Sequence, residues 1–384
     1  MENQIQCRSC SGLILKNPTL ILKDVPLSAQ GFSKNPDEAK SLAGNLILKE
    51  CQCCGLIQLD TPPVDYYKSV IRSAAASAVL LNQKRQQFHD FIQEHNLNNK
   101  KLIEIGCGRG EFLSILNQFN LDSFGVEYSS VSVQKCCEEG LRVEQNYLSS
   151  STKLQNAPFD AFVCLMFLEH MPAPRDALIG IASNLSEDAV GIIEVPSLDF
   201  LLRKNLLTEF IPDHLTYFTQ STLTTLLSIS GFNVLTMHES RDDYVLTAIV
   251  RKRTSLKFTN DNPSEGRLSK DIHDFLKKMA GTNIAVWGAG HQALASLGMF
   301  HMESHVSMII DSSPLKQGLF APGCALPIYS PEALITNKIA AVIVMAGSYS
   351  DEIVEIIKTK YSFIQHIAVA KEDNLICLST IHTP

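Results

Sequence analysis

The chain has 384 residues, 45% apolar and 19% charged, which is the balance of a soluble globular protein long enough for two or three domains. Its net charge of −7 argues against nucleic acid or an anionic membrane as a main partner, since both favour a basic surface, and leaves room only for a local basic pocket for a phosphate. No apolar stretch approaches the roughly 20 residues that span a bilayer, MENQIQCRSC is not a leader-like start, and eleven scattered cysteines suit a reducing compartment, so a cytoplasmic location is expected.

Residues 1–70 come first in chain order. They hold two C-x-x-C pairs, Cys7/Cys10 and Cys51/Cys54, with a further thiol at Cys53, in turn-rich sequence without a long helical period. So short a segment buries little apolar area, and four thiolates close a tetrahedral Zn²⁺ site with no open position, so the expected zinc is structural. Cys53 is an alternative fourth ligand, and free thiols or a redox pair are the alternatives to zinc. The remaining cysteines, Cys107, Cys136, Cys137, Cys164, Cys324 and Cys377, show no partner spacing.

Residues 71–252 open with a helical pattern over 77–95, in which Val79, Leu80, Phe88, Phe91 and Ile92 share one face. Short apolar runs at 101–107, 123–128, 159–166, 189–195, 232–238 and 244–250 then alternate with helical segments, except that the last two are joined by a turn. This predicts a doubly wound parallel sheet that finishes in an antiparallel pair. Residues 251–270 are charged and polar, with Asn262-Pro263-Ser264 and Gly266, and read as a linker. A second alternation over 267–384, with runs at 283–287, 306–310, 340–345 and 366–369, predicts a smaller doubly wound domain.

The segment KLIEIGCGRGEFL places Gly106, Gly108 and Gly110 between a strand and a helix, where the backbone can approach a ligand and the helix start offers unpaired N–H groups. G-x-G-x-G preceded by Glu104 differs from the G-x-G-x-x-G of dinucleotide binders. It suits S-adenosylmethionine (SAM), whose amino-acid moiety needs close backbone approach and brings no pyrophosphate. Glu127 ends the next strand, where a carboxylate can accept both ribose hydroxyls. The expected cofactor contacts are Glu104, Gly106, Cys107, Gly108, Gly110, Glu127 and Tyr128, joined by Glu169 from the strand FDAFVCLMFLEH. Glu169 and His170 both lie where such a sheet delivers residues to its pocket, and either suits cofactor or substrate.

Taken together these parts resemble the sugar C-methyltransferases of deoxysugar biosynthesis. The most specific stretches are CQCCGLIQL (51–59), EVPSLDFL (194–201), DHLTYF (213–218) and Asp311–Ile328, which runs through PLKQGLFAPGCALPI (314–328). The resemblance implies an α/β protein with a small N-terminal zinc module, a class I SAM-methyltransferase sheet and a second C-terminal Rossmann-like α/β domain. It further implies a nucleotide-linked 4-keto-6-deoxysugar substrate, methylated at the carbon beside its ketone through an enolate. Residue by residue, it makes His214 the general base, Asp213 its orienting carboxylate and His170 an enolate or substrate contact. Ile71 and Ile211 stand where the family carries tyrosines; Tyr66, Tyr67 or Tyr217 are the phenols at hand to replace them.

IAVWGAGHQAL gives strand, Gly288-x-Gly290-x-x-Ala293 and helix, with Asp311 ending the next strand. Alone, this pattern suggests NAD(P). The resemblance instead implies a grip on the nucleotide half of the substrate by Gly288, Gly290, His291, Asp311, Lys316 and Gln317, and a structural or dimerisation domain is a third reading. The expected protein is a monomer or homodimer that methylates a small molecule. N- or O-methylation, a bifunctional methyltransferase and NAD(P)-dependent ketoreductase, and a non-catalytic SAM-binding or assembly protein are the alternatives.

Overall fold

The computed structural model describes residues 6–69, 77–256 and 266–379, and the chain divides into two compact units, Met1–Ser255 and Leu256–Pro384. In the first unit the N-terminal segment supplies β1 (Leu20–Pro26), β2 (Ala43–Glu50) and β3 (Ile57–Leu59). The central segment follows with β4 (Lys101–Ile105), β5 (Asp122–Glu127), β6 (Val143–Gln145), β7 (Phe159–Leu165), β8 (Leu185–Pro196), β9 (Thr216–Tyr217), β10 (Phe232–Ser240) and β11 (Val245–Lys252).

Seven of these strands form one sheet in the order β10-β11-β8-β7-β4-β5-β6. Pairing is parallel from β6 across to β8, and β11 runs antiparallel between β8 and β10. This is the class I SAM-methyltransferase sheet, with its reversed strand one place from the edge. β7 shows why the sequence settles there: six of its seven residues, FDAFVCL, are buried. Alternate side chains of a strand face opposite ways, and a strand covered on both faces reads as a continuous apolar run. Phe162 and Cys164 join the core on one face, and a register shift before Ala161 brings Phe159 to the same core. Ala161, Val163 and Leu165 join the other, against Phe88, Phe91 and Ile92 of the helix Ala78–Glu94. The chain moves from β4 to β5 and β6 on one side, then crosses to β7 and β8 on the other, so the crevice at the carboxyl ends of these strands is the topological switch point where ligands bind.

The N-terminal segment carries a sheet that periodicity did not reveal, in the order β1-β2-β3-β9. A register shift between Leu22 and Val25, with Asp24 at φ +56°, breaks the alternation in β1. Its last strand, β9, comes from the central segment and pairs Ile57 with Tyr217 and Gln58 with Thr216. The two-residue β9 and three-residue β6 are too short for a periodic signal.

The expected linker is shorter than residues 251–270. Arg251 and Lys252 still pair in β11, and an amphipathic helix, Arg267–Lys278, already opens the second unit by burying Ile272, Phe275 and Leu276. That unit adds β12 (Ile284–Trp287), β13 (Met308–Ile310), β14 (Ile328–Tyr329), β15 (Ala341–Val344), β16 (His366–Lys371) and β17 (Asn374–Ser379). They form a sheet in the order β14-β13-β12-β15-β16-β17, parallel except for β17, with one apolar core on each face. Among the described residues, no helix is long and apolar enough to cross a membrane.

Candidate active site

The loop after β4 turns on three glycines in the left-handed region, Gly106 at φ +67°, Gly108 at +55° and Gly110 at +85°. An L side chain is strained in that conformation, and a Cβ on Gly108 would project into open space with nothing within 4 Å, which is room for a ligand against the backbone. Glu127, at the end of β5, holds the loop: Oε2 accepts the Gly108 N–H at 3.0 Å and Oε1 the Ser129 N–H at 2.8 Å. Two charge-assisted bonds fix the carboxylate and leave lone pairs for further donors.

Beside the loop is a pocket of about 300 Å³, lined by Gly106, Glu127 and Tyr128 of the expected set. Gly108 and Gly110 continue the loop, whereas Glu104 and Cys107 are buried, at 3% and 4% exposure. Lys68, Asn146, Tyr147, Phe167 and Met171 also line the pocket and escaped the sequence reading. Asn146 and Tyr147 follow the very short β6, and Lys68 lies outside any periodic pattern. Lys68 Nζ stands 4.8 Å from the Tyr147 ring centre and 5.2 Å from that of Tyr128, a cation–π arrangement at the pocket wall. Burial, followed by the neighbouring Tyr67, pushes the Tyr147 phenol up to about 12.

Glu169 departs from expectation. It does not line this pocket, because the 3₁₀ turn Leu168–His170 folds it inward after β7, to 1% exposure. There it meets both expected histidines: one ligand atom from each of Glu169, His170 and His214 lies within 4.8 Å of the others. The meeting is made by backbone, since Leu215 N–H donates to Glu169 O at 2.8 Å and stitches the turn to the approach of β9. The His170 and His214 rings pack edge to face, with centres 4.7 Å apart. His170 Nδ1 is 2.9 Å from the Asp213 carbonyl oxygen. A carbonyl only accepts, so Nδ1 carries the proton and Nε2 is left as the acceptor of the neutral ring. Burial lowers the pKa of His170, and burial followed by the charge of His170 lowers that of His214 well below the usual range, so both rings are neutral at neutral pH.

Two expected roles change with this geometry. The Asp213 carboxylate turns to the N-terminal segment, with Oδ2 accepting the Ala29 N–H at 3.0 Å, so Asp213 orients His170 through its backbone oxygen instead of orienting His214 through its side chain. Tyr217 is also committed. Its hydroxyl accepts from Ile211 N–H at 2.8 Å and donates to Ile211 O at 2.9 Å, which clamps the loop carrying Asp213 and His214. With 3% exposure it has no free edge for a substrate, because its phenol is spent on backbone. Tyr66 bonds Ser28 Oγ at 2.7 Å, and Tyr67 packs on Tyr147 with ring centres 6.3 Å apart. Ile71 lies outside the described residues.

The four expected zinc ligands converge. The Sγ atoms of Cys7, Cys10, Cys51 and Cys54 all lie within 4.8 Å of one another, with Cys7–Cys54 at 3.6 Å and Cys10–Cys51 at 3.5 Å. Tetrahedral Zn–S bonds of about 2.3 Å need sulfurs about 3.8 Å apart. Cys53 is exposed and outside the group. The two halves are near repeats: Ser11 N–H bonds Cys7 O and Gly55 N–H bonds Cys51 O, each at a residue with positive φ four places after the first cysteine. Backbone N–H groups of Ser9, Gly12 and Cys53 point at Cys7, Cys10 and Cys51 sulfurs at 3.4 Å each, donors that suit thiolate charge. Arg8, between the first two ligands, ties the module to Pro172 O at 3.0 Å, two residues past His170.

In the second unit the expected residues gather at the ends of β12 and β13. Asp311 Oδ2 accepts from Ala289 N–H at 2.8 Å and from Lys316 Nζ at 3.0 Å, and Oδ1 accepts from Ser313 N–H at 2.8 Å. These bonds, led by that of Ser313, outweigh burial and hold its pKa down. Gln317 Nε2 donates to Asp311 O at 3.0 Å, and Gly290 caps the helix His291–Met299, where His291 is exposed. A Cβ on Gly288 would strike Met345 O at 2.4 Å, so glycine is required for β12 and β15 to end so close together.

A sheet of this order, with a glycine loop gripped by the acid of the next strand over a pocket at the switch point, belongs to a SAM-dependent methyltransferase. Comparison with known proteins bears this out. A methyltransferase-domain family matches residues 79–237, and the C-methyltransferase C-terminal domain matches residues 263–367. The two matches follow one another along the chain, a methyltransferase domain and then a C-methyltransferase C-terminal domain. It is similar to the C-methyltransferase NovU of Streptomyces niveus, with 26% identity over 66% of this chain and 68% of NovU. It is also similar to a ubiquinone biosynthesis O-methyltransferase of Methylococcus capsulatus, 32% identical over 26% of this chain and 43% of that protein. Among solved structures it resembles a SAM-dependent methyltransferase from Clostridium acetobutylicum, at 14% identity and a TM-score of 0.39 over 49% of this chain and 96% of that one. The magnesium protoporphyrin IX methyltransferase of Synechocystis, with bound SAH, matches at 15% identity and a TM-score of 0.38 over 50% and 97%.

Proposed function

We propose that this enzyme transfers the SAM methyl group to carbon, beside the ketone of a nucleotide-linked 4-keto-6-deoxysugar. The observation that carries the reading is the pair of half-buried, neutral imidazoles on the turn Leu168–His170 and the loop before β9, next in the chain to Phe167 and Met171 of the cofactor pocket. SAM, when bound, supplies an electrophilic methyl group. The chain's part is to make the acceptor carbon nucleophilic. His214 takes the proton of that carbon and the C–H electron pair remains as an enolate, the carbon nucleophile to which SAM, when bound, would give its methyl group, the S–CH₃ electron pair leaving on sulfur as S-adenosylhomocysteine. His170, with its tautomer fixed by Asp213 O, keeps Nε2 as the nitrogen that contacts the substrate or enolate oxygen when protonated. The match to a C-methyltransferase C-terminal domain and the likeness to a named C-methyltransferase support carbon as the acceptor over nitrogen or oxygen.

The second unit serves as the nucleotide grip. Asp311 is already neutralised by Lys316, which supports a phosphate-bearing substrate near Lys316 and Gln317 over an NAD(P) ribose on the acid. Cys7, Cys10, Cys51 and Cys54 hold a structural Zn²⁺ that stiffens the sheet to which β9 belongs, and no step of the reaction runs through it. Cysteines held outside disulfides suit a cytoplasmic location.

The test is methyl transfer from methyl-deuterated SAM to a panel of nucleoside-diphosphate 4-keto-6-deoxysugars in D₂O, read by mass spectrometry and NMR. A labelled methyl on the carbon beside the ketone is expected. Labelling of nitrogen or oxygen, or no labelling of any keto sugar by a protein that binds SAM, refutes the reading.

A further inference from the structure

A base that becomes a cation inside a protein needs a counter-charge, because an unpaired buried charge is costly. His214 is such a base, since burial and the adjacent His170 both oppose its protonation. The groups around it include one side chain with no structural task of its own. Glu169 is 1% exposed, and neither carboxyl oxygen has a hydrogen-bond partner among the described residues. Buried polar groups are nearly always paired, so a bare carboxyl calls for a function. Its Oε1 lies 4.0 Å from His170 Nε2, the ring nitrogen that Asp213 O leaves as an acceptor.

Resting on the C-methylation reading above, we propose that Glu169 is the positioning carboxylate of this base: ionised, it supplies the negative charge that allows His214 to accept the substrate proton. The balance is simple. With Glu169 ionised and both rings neutral, the C–H bond breaks, the proton moves to His214, and its electron pair stays on the acceptor carbon. The three side chains go from one negative charge to none. With Glu169 protonated, the same transfer leaves an imidazolium with no balancing charge among these three side chains, the Asp213 carboxylate being turned to Ala29. Glu169 therefore has to lose its proton before His214 can work.

The surroundings set the pH at which that happens. Burial, with a smaller contribution from Glu194 on β8, raises Glu169 to about 8. The other titratable groups around it are His170, His214, Cys164 of β7, Asp213 and Tyr244. Cys164 and Tyr244 are pushed up by burial and stay neutral, and the Asp213 carboxylate is engaged by Ala29. Glu169 is then the group that changes charge near pH 8, so methyl transfer rises with pH through that value.

The experiment compares the full-length protein with Glu169→Gln and Glu169→Asp in two assays. Histidine ring ¹⁵N NMR against pH needs no substrate. The wild type should show a step in the His170 and His214 resonances near pH 8 that Glu169→Gln lacks. Methyl transfer to whichever panel sugar is turned over should rise through the same pH in the wild type. In Glu169→Gln, kcat should fall about tenfold or more with the SAM Kd within twofold, and Glu169→Asp should restore part of it. A step that persists in Glu169→Gln, or a variant with wild-type kcat and pH profile, overturns the proposal. So does a metal equivalent beyond that of the cysteine site that disappears with Glu169→Gln. If no sugar is methylated, the NMR step still decides the role of Glu169, while the acceptor reading fails alone.

Discussion

Replacing Glu127 by glutamine tests the cofactor site at its most constrained atom pair. Each carboxylate oxygen already accepts one backbone N–H, from Gly108 and Ser129. Glutamine has one oxygen, so whichever way the amide turns, an NH₂ group faces one of those donors. The exchange has two separable costs. In the free protein one N–H loses its acceptor, which costs about 1–2 kcal/mol and lowers Tm by a few degrees in a unit of this size. In the complex a ribose hydroxyl also loses a charged acceptor, worth about 1.5–3 kcal/mol, so the SAM Kd rises about 10- to 100-fold at about 1.4 kcal/mol per decade. Isothermal titration with SAM and SAH reads the second cost, and thermal unfolding without ligand reads the first. A Kd within threefold of wild type would falsify the assignment of Glu127 as the ribose acceptor, and a Kd change wholly explained by a collapsed Tm would shift the role of Glu127 to loop support alone.

Other perturbations have equally definite outcomes. Lys84 and Glu194 form a buried ion pair, 5% and 1% exposed, that joins the helix Ala78–Glu94 to β8, with Gln87 and Thr247 also on Glu194. Lys84→Met strands the carboxylate and should cost about 3–5 kcal/mol in denaturant unfolding, most of it recovered in Lys84→Met/Glu194→Leu; additive losses in the double variant would refute the pairing. Cys10→Ser should abolish the zinc equivalent measured by elemental analysis and lower Tm, while Cys53→Ser keeps both. Glu169 also bears on stability. Its folded pKa of about 8 lies above the unfolded carboxylate value, so the preference for the folded state is fullest below pH 4.5 and is lost as pH rises toward 8. Glu169→Gln should flatten that decline in urea unfolding curves between pH 5 and 8.5, and a parallel decline in the variant would place the titration elsewhere.

Whatever depends on local pattern was legible in the amino-acid order alone. Six runs of apolar residues marked six of the seven strands of the central sheet, most plainly where a strand such as β7 is buried on both faces and has to be apolar along its length. Glycines followed by a helix, with Glu127 one strand later, marked the cofactor loop, because left-handed backbone and close approach admit little else. Two C-x-x-C pairs marked the cysteine cluster in the same way, and the structure chose Cys54 over Cys53 by turning one sulfur inward and the other out.

What depends on residues far apart in the chain emerged only on folding. β9 joins the N-terminal sheet through pairs such as Ile57 with Tyr217, a partnership that two residues cannot announce. The inward turn of Glu169 follows from a backbone bond to Leu215, forty-six residues on, so a side chain expected at the cofactor stands with the histidines instead. Asp213 and Tyr217 likewise took their roles from Ala29 and Ile211. Which face of a short turn points inward is set by the chain packed against it, and no local periodicity encodes that.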